Sequence, residues 1–184
     1  VVTAVPTSED TARKAAAVGI ELIEPDEMTI IDLAIDGTDE VDGSKQLIKG
    51  GGGALLREKI IANAAKKFVV IADESKKVAE LGAFPLPVEI DRFAYALTVR
   101  AVREAFGNLG YANPDVRLRA GPAGPAFISD GGNYILDCRL KRIGDAAALD
   151  RALGAIPGVI ETGLFVGVAD EIILAGPQGV ERIG

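Results

Sequence analysis

The chain has 184 residues, 48% of them apolar and 26% charged, and carries a net charge of −7. That length fits one large domain or a principal domain with a small companion, and the composition is that of a globular protein rather than a disordered or fibrous one. The acidic balance, without any dense run of Lys or Arg, argues against a nucleic-acid backbone or an anionic membrane as the main partner, because both reward a contiguous basic surface; a small anionic ligand needs only a local positive pocket.

Val1–Val5 reads as a short buried strand, so the chain is expected to open inside a strand with its natural N-terminus upstream. Thr7 or Ser8 is a candidate N-cap for an Ala-rich helix reaching about Val18, closed by Gly19. "IELIE" follows as a second strand. Pro25–Glu27 then turns the chain into "MTIIDLAID", whose apolar content predicts a central strand buried on both faces. Strand, helix and strand in this order imply a right-handed parallel unit. "ALLREKIIANAAKKF" has near-helical spacing of Leu55, Leu56, Ile60 and Ile61, and "FVVIAD" is a further buried strand.

Beyond "LGAFPLPVEI" the texture changes. Pro85 and Pro87 mark a crossover, followed by "VEID", an amphipathic helix over 96–109, strand candidates around 116–119, 126–129 and 134–140, a helix over 145–153, and "GVIETGLFV". This order is that of a split βαβ sandwich. The loop "AGPAGPA" over 120–126 is expected at the surface, while "ADEIILAG" and "GVERI" are closing strands. The expected fold is therefore α/β: a mostly parallel, Rossmann-like sheet with flanking helices over 1–84 and 161–184, and a smaller α+β, ferredoxin-like domain over 85–160.

Histidine is absent, which removes the imidazole base of serine and cysteine hydrolases and the commonest zinc ligand. Acid–base work falls to carboxylates and lysines. The single cysteine, Cys138, rules out an intrachain disulfide and fits a reducing, cytoplasmic setting; within "NYILDCRL" it reads as core filler. No apolar stretch approaches the roughly 20 residues of a membrane span.

The chemistry concentrates between residues 36 and 58. "DGTDEVDG" packs Asp36, Asp39, Glu40 and Asp42 just beyond the carboxyl end of a strand, where open α/β sheets bind ligands. "AIDGTDE" nearly spells the D-x-D-G-T motif of magnesium-dependent phosphatases, but Ala34 stands where the nucleophile belongs. Asp36, Asp39 and Asp42 are spaced by three, the wrong register for a calcium loop. In "KGGGGALLREK" Lys49 precedes the glycines, whereas a P-loop lysine follows them, and no glycine stands three after Gly53 as a dinucleotide fingerprint requires. What Gly50, Gly51, Gly52 and Gly53 do offer is uncovered backbone N–H groups at the positive end of a helix, a candidate oxyanion hole. Glu58 lies in the second turn of that helix. Base, electrophile and acid are thus brought within one stretch of chain without histidine.

Taken together, "DGTDEVDG" (36–43), "KGGGGALLREKI" (49–60), "ADESKKV" (72–78), "FPLPVEI" (84–90), "DGGNYILD" (130–137) and "IPGVIETGLF" (156–165) resemble the type A ribose-5-phosphate isomerase family, in order and over nearly the whole chain. The resemblance implies an aldose–ketose isomerase of the pentose phosphate pathway, working without metal or organic cofactor through a cis-enediolate. It assigns Glu58 as general base, Asp36 to ring opening and proton handling, Asp39 to the lining of the site, and Lys49 with the glycine-loop amides to the enediolate oxygen. Lys76 matches a lysine that helps hold the substrate phosphate. A homo-oligomer, dimer or tetramer, is implied as well. Family members begin with a helix, a strand and a Gly-Ser/Thr-rich phosphate loop that nothing in this chain matches, so a non-catalytic sugar-phosphate-binding module is the alternative reading.

Overall fold

The computed structural model describes residues 2–122 and 124–184. Val1, where the first strand was expected to start, and Ala123 of the expected surface loop lie outside the described residues. In chain order, β1 (Thr3–Ala4) leads into α1 (Glu9–Ala17), whose N-terminus is capped by Ser8 accepting from the Thr11 N–H at 3.0 Å. Gly19, at φ +76°, then reverses the chain into β2 (Glu21–Leu22), which pairs in parallel with β1 as a small sheet of its own. There follow β3 (Ala34–Asp36), β4 (Glu40–Val41), β5 (Leu47–Ile48), α2 (Leu55–Ala64) and β6 (Phe68–Asp73), which ends in a single 3₁₀ turn, Glu74–Lys76. The remainder is β7 (Leu86–Ile90), α3 (Tyr95–Asn108), β8 (Asp115–Leu118), β9 (Tyr134–Arg139), α4 (Ala146–Gly154), β10 (Val159–Thr162), β11 (Leu164–Phe165), β12 (Glu171–Gly176) and β13 (Gly179–Ile183).

The architecture is α/β with mixed sheets. One four-stranded sheet has the order β13-β12-β6-β3, parallel except for the closing hairpin strand β13. A second, antiparallel throughout, has the order β10-β7-β9-β8. Between them lies a three-stranded sheet, β11-β5-β4. Its period-two alternation explains its place: Leu47 and Phe165 belong to the core beside the mainly parallel sheet, while their neighbours Ile48 and Leu164 belong to the core around Val88, Phe106, Leu136 and Leu149. Apart from the Glu40 carboxylate this middle layer buries apolar side chains on both faces, and Lys49 emerges directly from its end.

One strand departs from the expectation. "MTIIDLAID" supplies only Ala34–Asp36 to the sheet, and β3 lies at the edge of the described sheet rather than at its centre. The Asp26 carboxylate accepts from the Met28 N–H and the Thr29 hydroxyl, curling the start of the run into a turn, and Ile31 makes only an isolated bridge to Ala65. Ile30, Leu33 and Ile35 are consequently exposed. Residues 126–129 likewise contribute isolated bridges instead of a strand.

Glu40 fastens the middle layer to the antiparallel sheet. Its carboxylate, 4% exposed, accepts from the N–H groups of Gly82 at 2.7 Å and Phe84 at 2.6 Å, in the segment that leads into β7. Removing it strands two amides away from water, each costing about 1–3 kcal/mol. Glu40→Ala should therefore lower unfolding stability by roughly 2–4 kcal/mol, measured by urea denaturation, with the slope of the transition unchanged.

Candidate active site

Asp36 closes β3, and one of its carboxylate oxygens accepts from the next N–H, that of Gly37, at 2.7 Å. The other lies 3.0 Å from the Lys49 ammonium. Lys49 is anchored at its backbone by an N–H bond to the Gly163 carbonyl at 2.8 Å. Its side chain is only 4% exposed. From there Nζ donates to the Gly37 carbonyl at 2.6 Å and sits 5.5 Å from the centre of the Phe165 ring.

Glu58 comes from the first turn of α2, rotated toward the same ammonium. The rotation is set by the next residue: Lys59 Nζ donates to Glu161 at 2.7 Å and to the Thr162 carbonyl at 2.8 Å, holding that side of the helix against β10. Glu58 Oε2 reaches 3.2 Å from Lys49 Nζ, yet it receives no hydrogen bond, and among the described residues it is the one buried side-chain polar atom without a partner. Unpaired buried oxygens are rare, and a catalytic role is one of the accepted reasons for one. Burial raises the Glu58 pKa above the usual carboxylate range; Lys49 opposes the rise, and the charges of Asp36 and Asp39 add to it. Asp36 and Glu58 also line a cleft of about 580 Å³ that runs between β3 and the β1 segment.

The acidic knot is divided by geometry. Asp36 and Asp39 turn toward the site. Glu40 is consumed by the latch described above, and Asp42 by the β4–β5 hairpin, where it accepts from the N–H groups of Ser44 and Gln46. Asp39 accepts from the Gly51 N–H at 2.8 Å and so closes the glycine loop onto the site.

The four glycines are not equivalent. Gly50 and Gly53 have φ of +105° and +86°, a region costly for any residue with a Cβ. A Cβ on Gly51 would stand 2.6 Å from an Asp39 oxygen, and one on Gly53 would stand 2.5 Å from the Phe127 ring; on Gly52 it meets nothing within 4 Å. The Gly51 and Gly53 N–H groups are used internally, on Asp39 and on the Gly50 carbonyl, whereas the Gly52 N–H has no internal partner among the described residues. No side chain caps α2, so its first turn also presents bare donors.

Of the residues singled out in the sequence, Asp36, Asp39, Lys49, Glu58 and the glycine loop converge. Lys76 ends the 3₁₀ turn after β6, beyond the same carboxyl end of the sheet, and makes no ion pair or hydrogen bond with another described residue. Sequence reasoning missed Phe165 beneath the ammonium, and Gly163, where a Cβ would stand 2.3 Å from the Lys49 carbonyl. Both stand inside "IPGVIETGLF", but nothing local connects that stretch with Lys49. It also missed Arg119 and Asp137, which approach the glycine loop from the antiparallel sheet.

Residues 3–179 match the family model of ribose 5-phosphate isomerase A (phosphoriboisomerase A). The chain belongs to that family. It is 54% identical over 180 residues to the ribose-5-phosphate isomerase A of Maricaulis maris (strain MCS10), an alignment covering 97% of this chain and 77% of the relative. Among solved structures, ribose 5-phosphate isomerase A from Methanocaldococcus jannaschii superimposes with a TM-score of 0.88 at 37% identity, covering 97% of this chain and 76% of that one. A D-ribose-5-phosphate isomerase in complex with phospho-erythronic acid does so with a TM-score of 0.87 at 37% identity, covering 98% and 77%. Membership supports the isomerase reading of the sequence over that of a non-catalytic binding module. No helix among the described residues is long and apolar enough to cross a membrane.

The contrast among the glycines is testable by thermal unfolding. Gly51→Ala and Gly53→Ala should each cost roughly 1–3 kcal/mol through overpacking, whereas Gly52→Ala should stay within about 0.5 kcal/mol of the parent.

Proposed function

We propose that the protein interconverts D-ribose 5-phosphate and D-ribulose 5-phosphate, with Glu58 as the general base that carries a proton between C1 and C2 of the open-chain sugar. The observation that carries this reading is the buried, unbonded Glu58 Oε2 lying 3.2 Å from Lys49 Nζ. Apart from the Lys49 ion pair nothing occupies Oε2, which leaves it able to accept a carbon-bound proton, and the raised pKa brings the carboxylate closer to the working range of a base at neutral pH. Phospho-erythronic acid in a related structure supports a phosphorylated sugar as the ligand class.

Taking the proton next to the carbonyl leaves negative charge on oxygen in a cis-enediolate. Lys49 and the Gly52 N–H are the donors assigned to that oxygen, each worth roughly 3–4 kcal/mol of barrier when well placed. Asp36, already hydrogen-bonded to the Gly37 N–H, handles protons at the sugar oxygens during ring opening. Asp39 lines the site and fixes Gly51. Lys76, an unpaired flexible cation among the described residues, is assigned to the phosphate. All these groups are side chains or amides of the chain itself, and the scheme calls for no metal or organic cofactor.

The mainly parallel sheet, formed from 1–84 and 161–184, is proposed as a Rossmann-like catalytic domain. The order β10-β7-β9-β8 with α3 and α4 supports a split βαβ, ferredoxin-like companion over 85–160. A homo-oligomeric, cytoplasmic enzyme of the non-oxidative pentose phosphate pathway completes the reading.

Glu58→Gln should lower kcat by about 10²–10⁴-fold, the usual contribution of a general base, with KM nearly unchanged; parental turnover in that variant would refute the assignment. Because the base acts when deprotonated, the parent's kcat should rise with pH along an acid limb lying above the usual carboxylate range. Asp36→Asn removes a charge that raises the Glu58 pKa and should move the limb to lower pH, while Lys49→Met should move it higher, as read from the pH profiles of residual turnover.

A further inference from the structure

The glycine loop is gripped from behind by a partly buried ion pair. Arg119 follows β8, and its backbone is pinned on both sides, its N–H on the Ile135 carbonyl and its carbonyl under the Phe127 N–H, each at 2.8 Å. Its guanidinium, 13% exposed, lies against Asp137 of β9, with Nη2 and Nε donating to the carboxylate at 2.6 and 3.1 Å. That leaves Nη1, which donates to the Gly50 carbonyl at 2.8 Å and to the Gly51 carbonyl at 3.1 Å.

In a planar trans peptide the C=O and the following N–H point in opposite directions. Holding the Gly50 carbonyl therefore aims the Gly51 N–H the other way, onto Asp39. Holding the Gly51 carbonyl does the same for the Gly52 N–H, the amide left without an internal partner among the described residues. A glycine peptide has little steric resistance to flipping, so the facing of these two units needs an external constraint. The guanidinium also polarises both peptides, which strengthens the N–H donors on the far side.

We propose that Arg119, held by Asp137, is a positioning residue for the isomerisation: it fixes the facing of two glycine-loop peptides so that the Gly52 N–H is presented to the developing oxyanion and Asp39 is kept in place. The proposal rests on the isomerase reading. A planar fork is required because two edges are used at once, one on the carboxylate and one on the carbonyls; a lysine offers no such geometry.

The test is steady-state kinetics on Arg119→Ala, Arg119→Lys and Asp137→Asn in the protein, each checked for parental unfolding. Misdirected donors should lower kcat roughly 10- to 100-fold while KM for ribose 5-phosphate stays within about threefold. Millimolar guanidinium ion should restore part of the lost kcat in Arg119→Ala and none in Glu58→Gln. Parental kcat in the variants, a loss confined to KM or absent rescue would each overturn the proposal. Should Arg119→Ala not fold, Arg119→Lys and Asp137→Asn decide it on the split between kcat and KM alone. A parent protein that fails to isomerise would instead overturn the functional reading, whereas a parent that turns over, is silenced by Glu58→Gln and ignores Arg119 would overturn only this inference.

Discussion

One buried ammonium ties the site together. Lys49, almost wholly shielded from water, meets Asp36 from the end of β3, Glu58 from α2, the Gly37 carbonyl from the turn between, and the face of Phe165 from β11. An isolated charge at that depth would cost several kcal/mol, and these partners offset it. The compensation overshoots, since two carboxylates lie in ion-pair range of one cation and Asp39 stands nearby. Burial disfavours the charge on Glu58, and the Asp36 and Asp39 charges add to that effect. The same packing that satisfies the lysine therefore leaves a carboxylate that readily accepts a proton.

The layers of the fold serve that arrangement. A sheet that buries apolar side chains on both faces carries Lys49 out between two cores, and Gly163 allows its backbone to come close to β7 without a side chain in the way. The mainly parallel sheet contributes Asp36, the helix contributes Glu58, and the antiparallel sheet contributes Arg119 and Asp137 behind the glycine loop. The loop is shared between the layers: its N–H groups and its carbonyls are claimed from opposite sides. Among the described residues Glu58 Oε2 and the Gly52 N–H are left without a hydrogen-bond partner at this junction, and the proposed reaction uses both.

Much of this was legible in the chain. The helices expected over 96–109 and 145–153 appear at Tyr95–Asn108 and Ala146–Gly154, because apolar spacing is a local property. "FVVIAD" is a strand as expected. The run "MTIIDLAID" misled, since apolar content indicates burial without saying against what, and the Asp26–Thr29 turn competes with the extended conformation. Residues 126–129 failed as a strand beside a Gly/Pro-rich segment that supplies few ladder donors.

Composition and order alone determined that carboxylates and lysines must carry the proton chemistry, that a glycine run opens onto a helix, and which family the motifs resemble, because residue type and short-range periodicity are written along the chain. Tertiary structure decided which of the clustered carboxylates is free to act, which glycines cannot be replaced, and that Arg119 faces a loop 68 residues earlier. Those outcomes depend on desolvation and on distances between atoms far apart in sequence, and neither quantity exists until the layers pack.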